Sequence, residues 1–387
     1  MTINFERVFH PVGQGAFYSE KHTDFNVVYD CGNWRNSKAA TNVVNDSFLK
    51  KDIIDVLFIS HFDFDHVSKI RTLSNKFRIN VVVMPLLSDD EKCLLTNIYR
   101  VLNNRVLNLI NKPEKFFGDG TSILKVAPFI EKNDEAELNY DDVKGLNGKV
   151  INSGSVINMG SKSYSWKLIP YNYESKSRRV VLEEALLKEG FSTSGISKLK
   201  SDSKYTLKSI KRDVGLSASK NGKIFRKVYN SLTGGINQNS MLLFSGVTNT
   251  TKLQICQDIN YKLKNPMRFE SDCVYWKRAL SLKEEARGKV SCIYTGDSDL
   301  NLVKIKTIFS EFWDTVGTIQ VPHHGSKNNF EYSLLDNEHY YFPISVGIKN
   351  TYSHPSPDLV KDIVASGASP VFITDNLSSK FSQKYWV

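Results

Sequence analysis

Cysteine is scarce in this 387-residue chain and badly placed for cross-linking. Cys31, Cys93, Cys256, Cys273 and Cys292 are odd in number, and no two are spaced as CxxC. A disulfide framework and a structural zinc knuckle are set aside, and the thiols read as small buried hydrophobes in a reducing compartment. Long apolar runs are missing too. The longest candidates, 56–60 and 80–87, are strand-sized, far short of the ~18 residues that cross a bilayer. The N-terminal MTINFERVFHPVGQG has no basic region leading into an apolar stretch, so no export signal is read and a cytoplasmic location is expected. No internal repeat or low-complexity tract stands out. With 41% hydrophobic and 24% charged residues, the composition is that of ordinary globular protein.

Negative charge is the minority, and the net charge of +10 is unevenly placed. Residues 176–227 hold fourteen Lys and Arg against five Asp and Glu, nearly the whole excess. A segment of this kind attracts polyanions, nucleic acid above all, through counterion release. Lys198, Lys200, Lys204, Lys208, Lys211 and Arg212 are the candidate nucleic-acid contacts. Tyr171, Tyr173, Tyr205, Phe225 and Tyr229 interleave with the basic residues and suit stacking on bases, or plain packing within the segment. The alternative for the charge is a solvated insertion that it keeps soluble.

Along the chain, short apolar runs at 27–29, 56–59, 80–84, 123–127, 166–170 and 240–244 predict strands, with helical spacing at 67–77 and 91–110. From 290 onward strands at 290–294, 318–321, 342–346 and 371–374 alternate with helices at 300–312 and 356–366. The rhythm breaks at 171–235 and again at 246–289, which read as insertions in a single domain spanning 1–387. This order predicts an α/β fold, an αββα sandwich with helices outside two sheets.

Chemistry concentrates at strand ends. Ser60-His61-Phe62-Asp63-Phe64-Asp65-His66 places four metal-capable side chains directly after an apolar strand. Burying the two aspartates with their histidines calls for a cation. Thr295-Gly296-Asp297, Pro322-His323-His324-Gly325-Ser326 and Tyr352-Ser353-His354-Pro355 follow later strands in the same manner. Five of the eight histidines fall in these motifs; His10, His22 and His339 read as ordinary core or surface residues.

The His61-Phe62-Asp63-Phe64-Asp65-His66 run resembles the HxHxDH signature of the metallo-β-lactamase superfamily in an HxDxDH form, and Asp297 is similar to its bridging aspartate. Val12-Gly13-Gln14-Gly15, Tyr29-Asp30-Cys31-Gly32, Asn237-Gln238-Asn239-Ser240 and the two later histidine motifs resemble the soluble hydrolase domain of ComEC-type DNA-uptake proteins. Membrane helices of that group have no counterpart here. Nor does any histidine lie between His66 and His323, where many superfamily members carry a further ligand.

The resemblance implies two divalent ions, Mn2+ or Zn2+, that activate water. His61 and Asp63 are expected to hold one ion, Asp65 and His66 the other, with Asp297 bridging and His323 as the remaining ligand. An aspartate at position 63 hardens the site toward manganese. His324 and His354 are the candidate proton donors or charge stabilisers, and Asp65 counts with the catalytic groups as well as the ligands. Gly325 and Ser326 are candidate donors to a phosphate. The leading expectation is a nuclease or phosphodiesterase acting on DNA or RNA, with a protein partner in a DNA-processing or defence system. The alternatives are a hydrolase of a small nucleotide, ester or lactam, and a nucleic-acid-binding subunit with a residual metal site.

Overall fold

The computed structural model describes residues 5–35, 37–101, 106–130, 136–160, 164–205, 225, 227–228, 237, 239–248, 258–259, 289–336, 340–350 and 353–385. Among these the runs of β-branched and aromatic residues form two sheets. Across the first, the strands run in the order Asp258–Ile259, Phe381–Tyr385, Phe5–Phe9, Phe17–His22, Asn26–Cys31, Ile53–Phe58, Arg78–Pro85, Ser122–Val126 and Val150–Ile151. Pairing is antiparallel up to Asn26–Cys31 and parallel beyond it. Across the second, the order is Ser369–Ile373, Tyr341–Ser345, Val316–Ile319, Ser291–Tyr294, Asn239–Gly246, Ser165–Glu174, Val156–Gly160 and Glu137–Asn139. Its first four strands are mutually parallel.

Side chains alternate across each strand, and this sorts the apolar residues into three layers. Tyr29, Val56, Phe58, Leu243, Cys292 and Tyr294 meet between the sheets. Val28, Leu57 and Val82 face outward under helices that include Ile70–Lys76 and Asp89–Val101. Leu242, Phe244 and Ile293 face outward under Leu300, Phe309, Leu359 and Ile363. The expected αββα sandwich is therefore the observed one. A buried ion pair helps to clamp its two sheets: Arg7 Nε donates to Glu20 Oε1 at 2.7 Å, and the same carboxylate accepts from Ser245 Oγ at 2.6 Å and Tyr294 at 2.9 Å on the other sheet.

The helix expected at 67–77 is split into Phe64–Val67 and Ile70–Lys76. The backbone groups that would join them are engaged elsewhere: Asp65 O accepts from Ala16 N at 3.1 Å, and Lys69 N donates to Cys31 O at 2.9 Å. The helix expected at 300–312 breaks at Lys304, whose φ of 53° is left-handed. The strand expected at 166–170 continues through Glu174, past the expected start of the basic insertion.

The described part of that insertion packs one face on the core and leaves the other to solvent. Helices Lys176–Lys188 and Thr193–Ser201 contribute Leu182, Leu186, Ile196 and Leu199 to the outer core of the first sheet. Asn97 Nδ2 donates to Leu199 O at 2.9 Å, tying this segment to helix Asp89–Val101. Three of the interleaved aromatics are core residues: Tyr205 and Phe225 are buried here, and Tyr171 stacks on Phe129 with ring centroids 4.7 Å apart. Tyr173 is half-buried against the outer core of the second sheet. These four therefore serve packing and are not free for bases. Lys198 and Lys204 are exposed, and Lys200 pairs with Glu183 at 2.9 Å. Lys208, Lys211, Arg212, Tyr229, His339 and most of the second insertion lie outside the described residues.

Glycine lets the first loops approach the His61–His66 loop. A Cβ on Gly32 would stand 2.2 Å from Asp65 O and 2.5 Å from His66 C, both backbone atoms. Gly32→Ala is therefore expected to destabilise the fold by about 1–3 kcal/mol in urea denaturation, because rigid backbone must move to admit the methyl group. An unchanged midpoint would show that this approach does not constrain the loop.

Candidate metal centre

The parallel strands of both sheets end at one place, and their loops deliver the polar side chains there. Asn26–Cys31 delivers Asp30, Ile53–Phe58 leads to Ser60 through His66, Ser291–Tyr294 leads to Asp297, and Val316–Ile319 leads to His323 and His324. Asp30, His323, His324 and Ser353 all have left-handed backbone, with φ between 49° and 55°. Such turns are costly for residues with a Cβ, and they cluster where side chains must be aimed.

Fixed hydrogen-bond partners set the histidine tautomers. The buried Asp30 carboxylate accepts from Ser60 N at 2.7 Å, from Ser60 Oγ at 2.6 Å and from His66 Nδ1 at 2.8 Å. With its proton given to Asp30, Ser60 Oγ accepts from His61 Nδ1 at 2.9 Å. Both rings therefore turn Nε2 inward, and both Nε2 atoms are buried with no hydrogen-bond partner. They face Asp297: His66 Nε2 lies 3.3 Å from Oδ1, and His61 Nε2 lies 3.7 Å from Oδ2. Ring nitrogens aimed at a buried carboxylate fit a cation between them, which would take the place of any proton there.

Two groups of converging donors result, His61 with His66 and Asp297, and Asp65 with His66 and His324. Asp63 Oδ2 lies 3.7 Å from His61 Nε2, while its Oδ1 accepts from Tyr99 at 2.8 Å and from Asn237 Nδ2 at 2.6 Å. His324 Nδ1 donates to Ser345 O at 2.7 Å, which points Nε2 at Asp65 Oδ2, 3.1 Å away. His323 is different. The Arg178 guanidinium donates to its Nε2 at 2.8 Å, so Nδ1 carries the proton, 3.2 Å from Asp297 Oδ2. Both of its ring nitrogens are engaged, whereas His324 Nε2 joins Asp65 and His66 in a converging group. Gly325 N and Ser326 N are likewise engaged, donating to Pro322 O and His323 O within their turn. His354 has a buried Nδ1 without a partner.

Charge follows this arrangement. Burial alone would lower His66, yet the carboxylates of Asp297 and Asp30 raise it well above its ordinary value. Burial would raise Asp297, yet His323 and His66 hold it well below the usual carboxylate range. Burial lowers His61 strongly, with His66 adding to the effect. Burial, with His324 and His323 nearby, pushes His354 down to about 4. At that value the ring is neutral at neutral pH.

Arg178, Asp30, Tyr99 and Asn237 were not singled out by role from the sequence. Arg178 is one of fourteen basic residues in its segment, and nothing in its neighbours marks it. Asp30 and Asn237 do sit within motifs that carried the family resemblance.

Residues 13–170 match the family model of the metallo-beta-lactamase superfamily. That span includes Asp30 and the His61–His66 cluster and leaves Asp297, His323 and His324 outside it. No curated protein matches the chain. Among solved structures it is similar to the metallo-beta-lactamase fold protein YhfI from Bacillus subtilis, at 10% identity over 45% of this chain and 54% of that one, with a TM-score of 0.23. It is similar to human tRNase Z, short form, at 10% identity over 44% and 61%, with a TM-score of 0.25. It is similar to unliganded yeast PDE1 at 8% identity over 98% and 91%, with a TM-score of 0.36. The first two matches thus span just over half of those chains.

Burial, joined by the charge of Asp65, pushes Asp63 up to about 7. Its folded value lies above the unfolded one, so ionisation costs the fold stability as pH rises toward and through about 7. Asp63→Asn keeps an acceptor for Tyr99 and Asn237 and removes that cost. In EDTA, its stability advantage over the parent in urea is expected to be larger at pH 8 than at pH 5. A constant or shrinking advantage would contradict this.

Proposed function

We propose that this chain, whose residues 13–170 match the metallo-beta-lactamase superfamily model, is a metal-dependent hydrolase that cleaves phosphodiesters of nucleic acid. The observation that carries the reading is the pair of orphaned imidazole nitrogens, His61 Nε2 and His66 Nε2, buried and aimed at Asp297. His61, Asp63, Asp65, His66, Asp297 and His324 are the residues that would hold divalent metal. When bound, such metal lowers the pKa of water and stabilises charge on phosphoryl oxygens.

The protein's own groups do the rest. Asp30 and Ser60 fix the tautomers of His61 and His66, and Tyr99 and Asn237 fix the rotamer of Asp63. His354, neutral and beside His323 and His324, offers a hydrogen bond to a leaving or non-bridging oxygen. Three aspartates make a hard, oxygen-rich donor set, which suits metals that bind phosphate. The net charge of +10 favours a polyanionic substrate. Of the six candidate nucleic-acid contacts, Lys198 and Lys204, on the segment that carries Arg178, are described and exposed to such a polymer.

The test is to incubate protein with single- and double-stranded DNA, RNA and a small chromogenic diester, each with Mn2+, Zn2+ or EDTA. Metal-dependent polymer cleavage is expected, abolished in Asp65→Ala and His66→Ala and reduced about 10–100-fold in Asp30→Ala, which disturbs only the orienting carboxylate. Activity confined to small diesters or esters would replace the polymer as substrate. DNA binding that survives EDTA without cleavage under any metal would make the chain a binding subunit.

A further inference from the structure

His66 has one lone pair to give. Its Nδ1 is committed to Asp30, so only Nε2 faces the centre. That single atom belongs to both groups of converging donors. One imidazole nitrogen ligates one ion, so the two groups cannot be filled alike. The Asp65 side is the better furnished. His324 Nε2 is already aimed by the Ser345 carbonyl, and Asp297 Oδ1 stands 3.3 Å from His66 Nε2 as a fourth donor. With His66 counted there, the other position retains His61 Nε2 and one oxygen each of Asp63 and Asp297, both 3.7 Å from that nitrogen.

Beside this poorer position stands a cation instead of a further ligand. The half-buried Arg178 reaches in from the start of helix Lys176–Lys188 and donates to His323 Nε2 at 2.8 Å, to the Asp297 carbonyl oxygen and to Asn237 O at 3.4 Å. Asp297 and Asp63 are the carboxylates that act most strongly on its charge. A guanidinium cannot ligate metal, does not lose its proton, and repels a divalent ion in a desolvated site.

Building on the metal-dependent reading, we propose that the centre binds divalent ions unequally. Asp65, His66, His324 and Asp297 hold one ion tightly. At the His61–Asp63 position Arg178 supplies the positive charge that a second ion would bring, and so keeps that ion weak. Arg178 is then a positioning residue that sets metal occupancy.

The test reads metal rather than activity: calorimetric titration of metal-stripped protein with Mn2+ and with Zn2+, and elemental analysis of the dialysed product. The parent is expected to keep one ion per chain, with a second at least about 100-fold weaker. In Arg178→Gln the second ion should tighten at least about 10-fold with the first unchanged, and Arg178→Lys should retain the parental pattern. Independently of position 178, His324→Ala should lose the tight ion and His61→Ala should keep it. Two ions of similar affinity in the parent would overturn the proposal and leave the hydrolase reading intact. So would a tight ion that depends on His61 and not on His324. No binding of either metal to the parent would sink the metal-dependent reading itself, and this proposal with it.

Discussion

The structure turns on the electrostatics of one buried point. Asp297 lies between His61, His66 and His323, while Asp63 and Asp65 are buried two residues apart and Asp30 is buried against His66. Carboxylates taken out of water need compensating charge. The protein supplies only part of it, through Arg178 and the protons that His66 and His324 hold readily. Burial and neighbouring charge drive its members in opposite directions, His66 raised and His61 lowered, Asp297 lowered and Asp63 raised.

The scaffold makes that concentration of charge possible. Parallel strands from two sheets end at one crevice, the usual place for sites on open α/β sheets. The loops beyond them are held by backbone bonds rather than by regular helix, as at Ala16 to Asp65 and Lys69 to Cys31. Gly32 admits the neighbouring backbone at distances no other residue allows. Away from the centre, the Arg7–Glu20 pair ties the sheets across their shared core. The first half of the basic segment belongs to this scaffold too, because the helix that carries Arg178 into the site also buries Leu182 and Leu186.

Much of the fold was legible in the sequence because strand signals are local. Apolar runs such as 80–84 and 240–244 lie inside strands Arg78–Pro85 and Asn239–Gly246. The failures came where tertiary contacts override local preference. The helix read across 67–77 is divided by two backbone bonds to distant residues, and the one read across 300–312 by a left-handed lysine. Of the aromatics for which stacking and packing were both open, Tyr171, Tyr173, Tyr205 and Phe225 pack. At the site, the donor types stood out because His and Asp crowd strand ends, but their roles did not. Which of two adjacent histidines faces a metal depends on the partner of each ring nitrogen. The Ser345 carbonyl and Arg178 lie 21 and 145 residues from His324 and His323. No spacing rule reaches that far.

The central claim is that a divalent ion completes this array. Anomalous diffraction at the zinc edge from crystals of zinc-loaded protein tests it directly. A strong peak is expected about 2.0–2.2 Å from His66 Nε2, His324 Nε2 and an oxygen each of Asp65 and Asp297. Anomalous density confined to surface carboxylates, with none at Asp297, would contradict it.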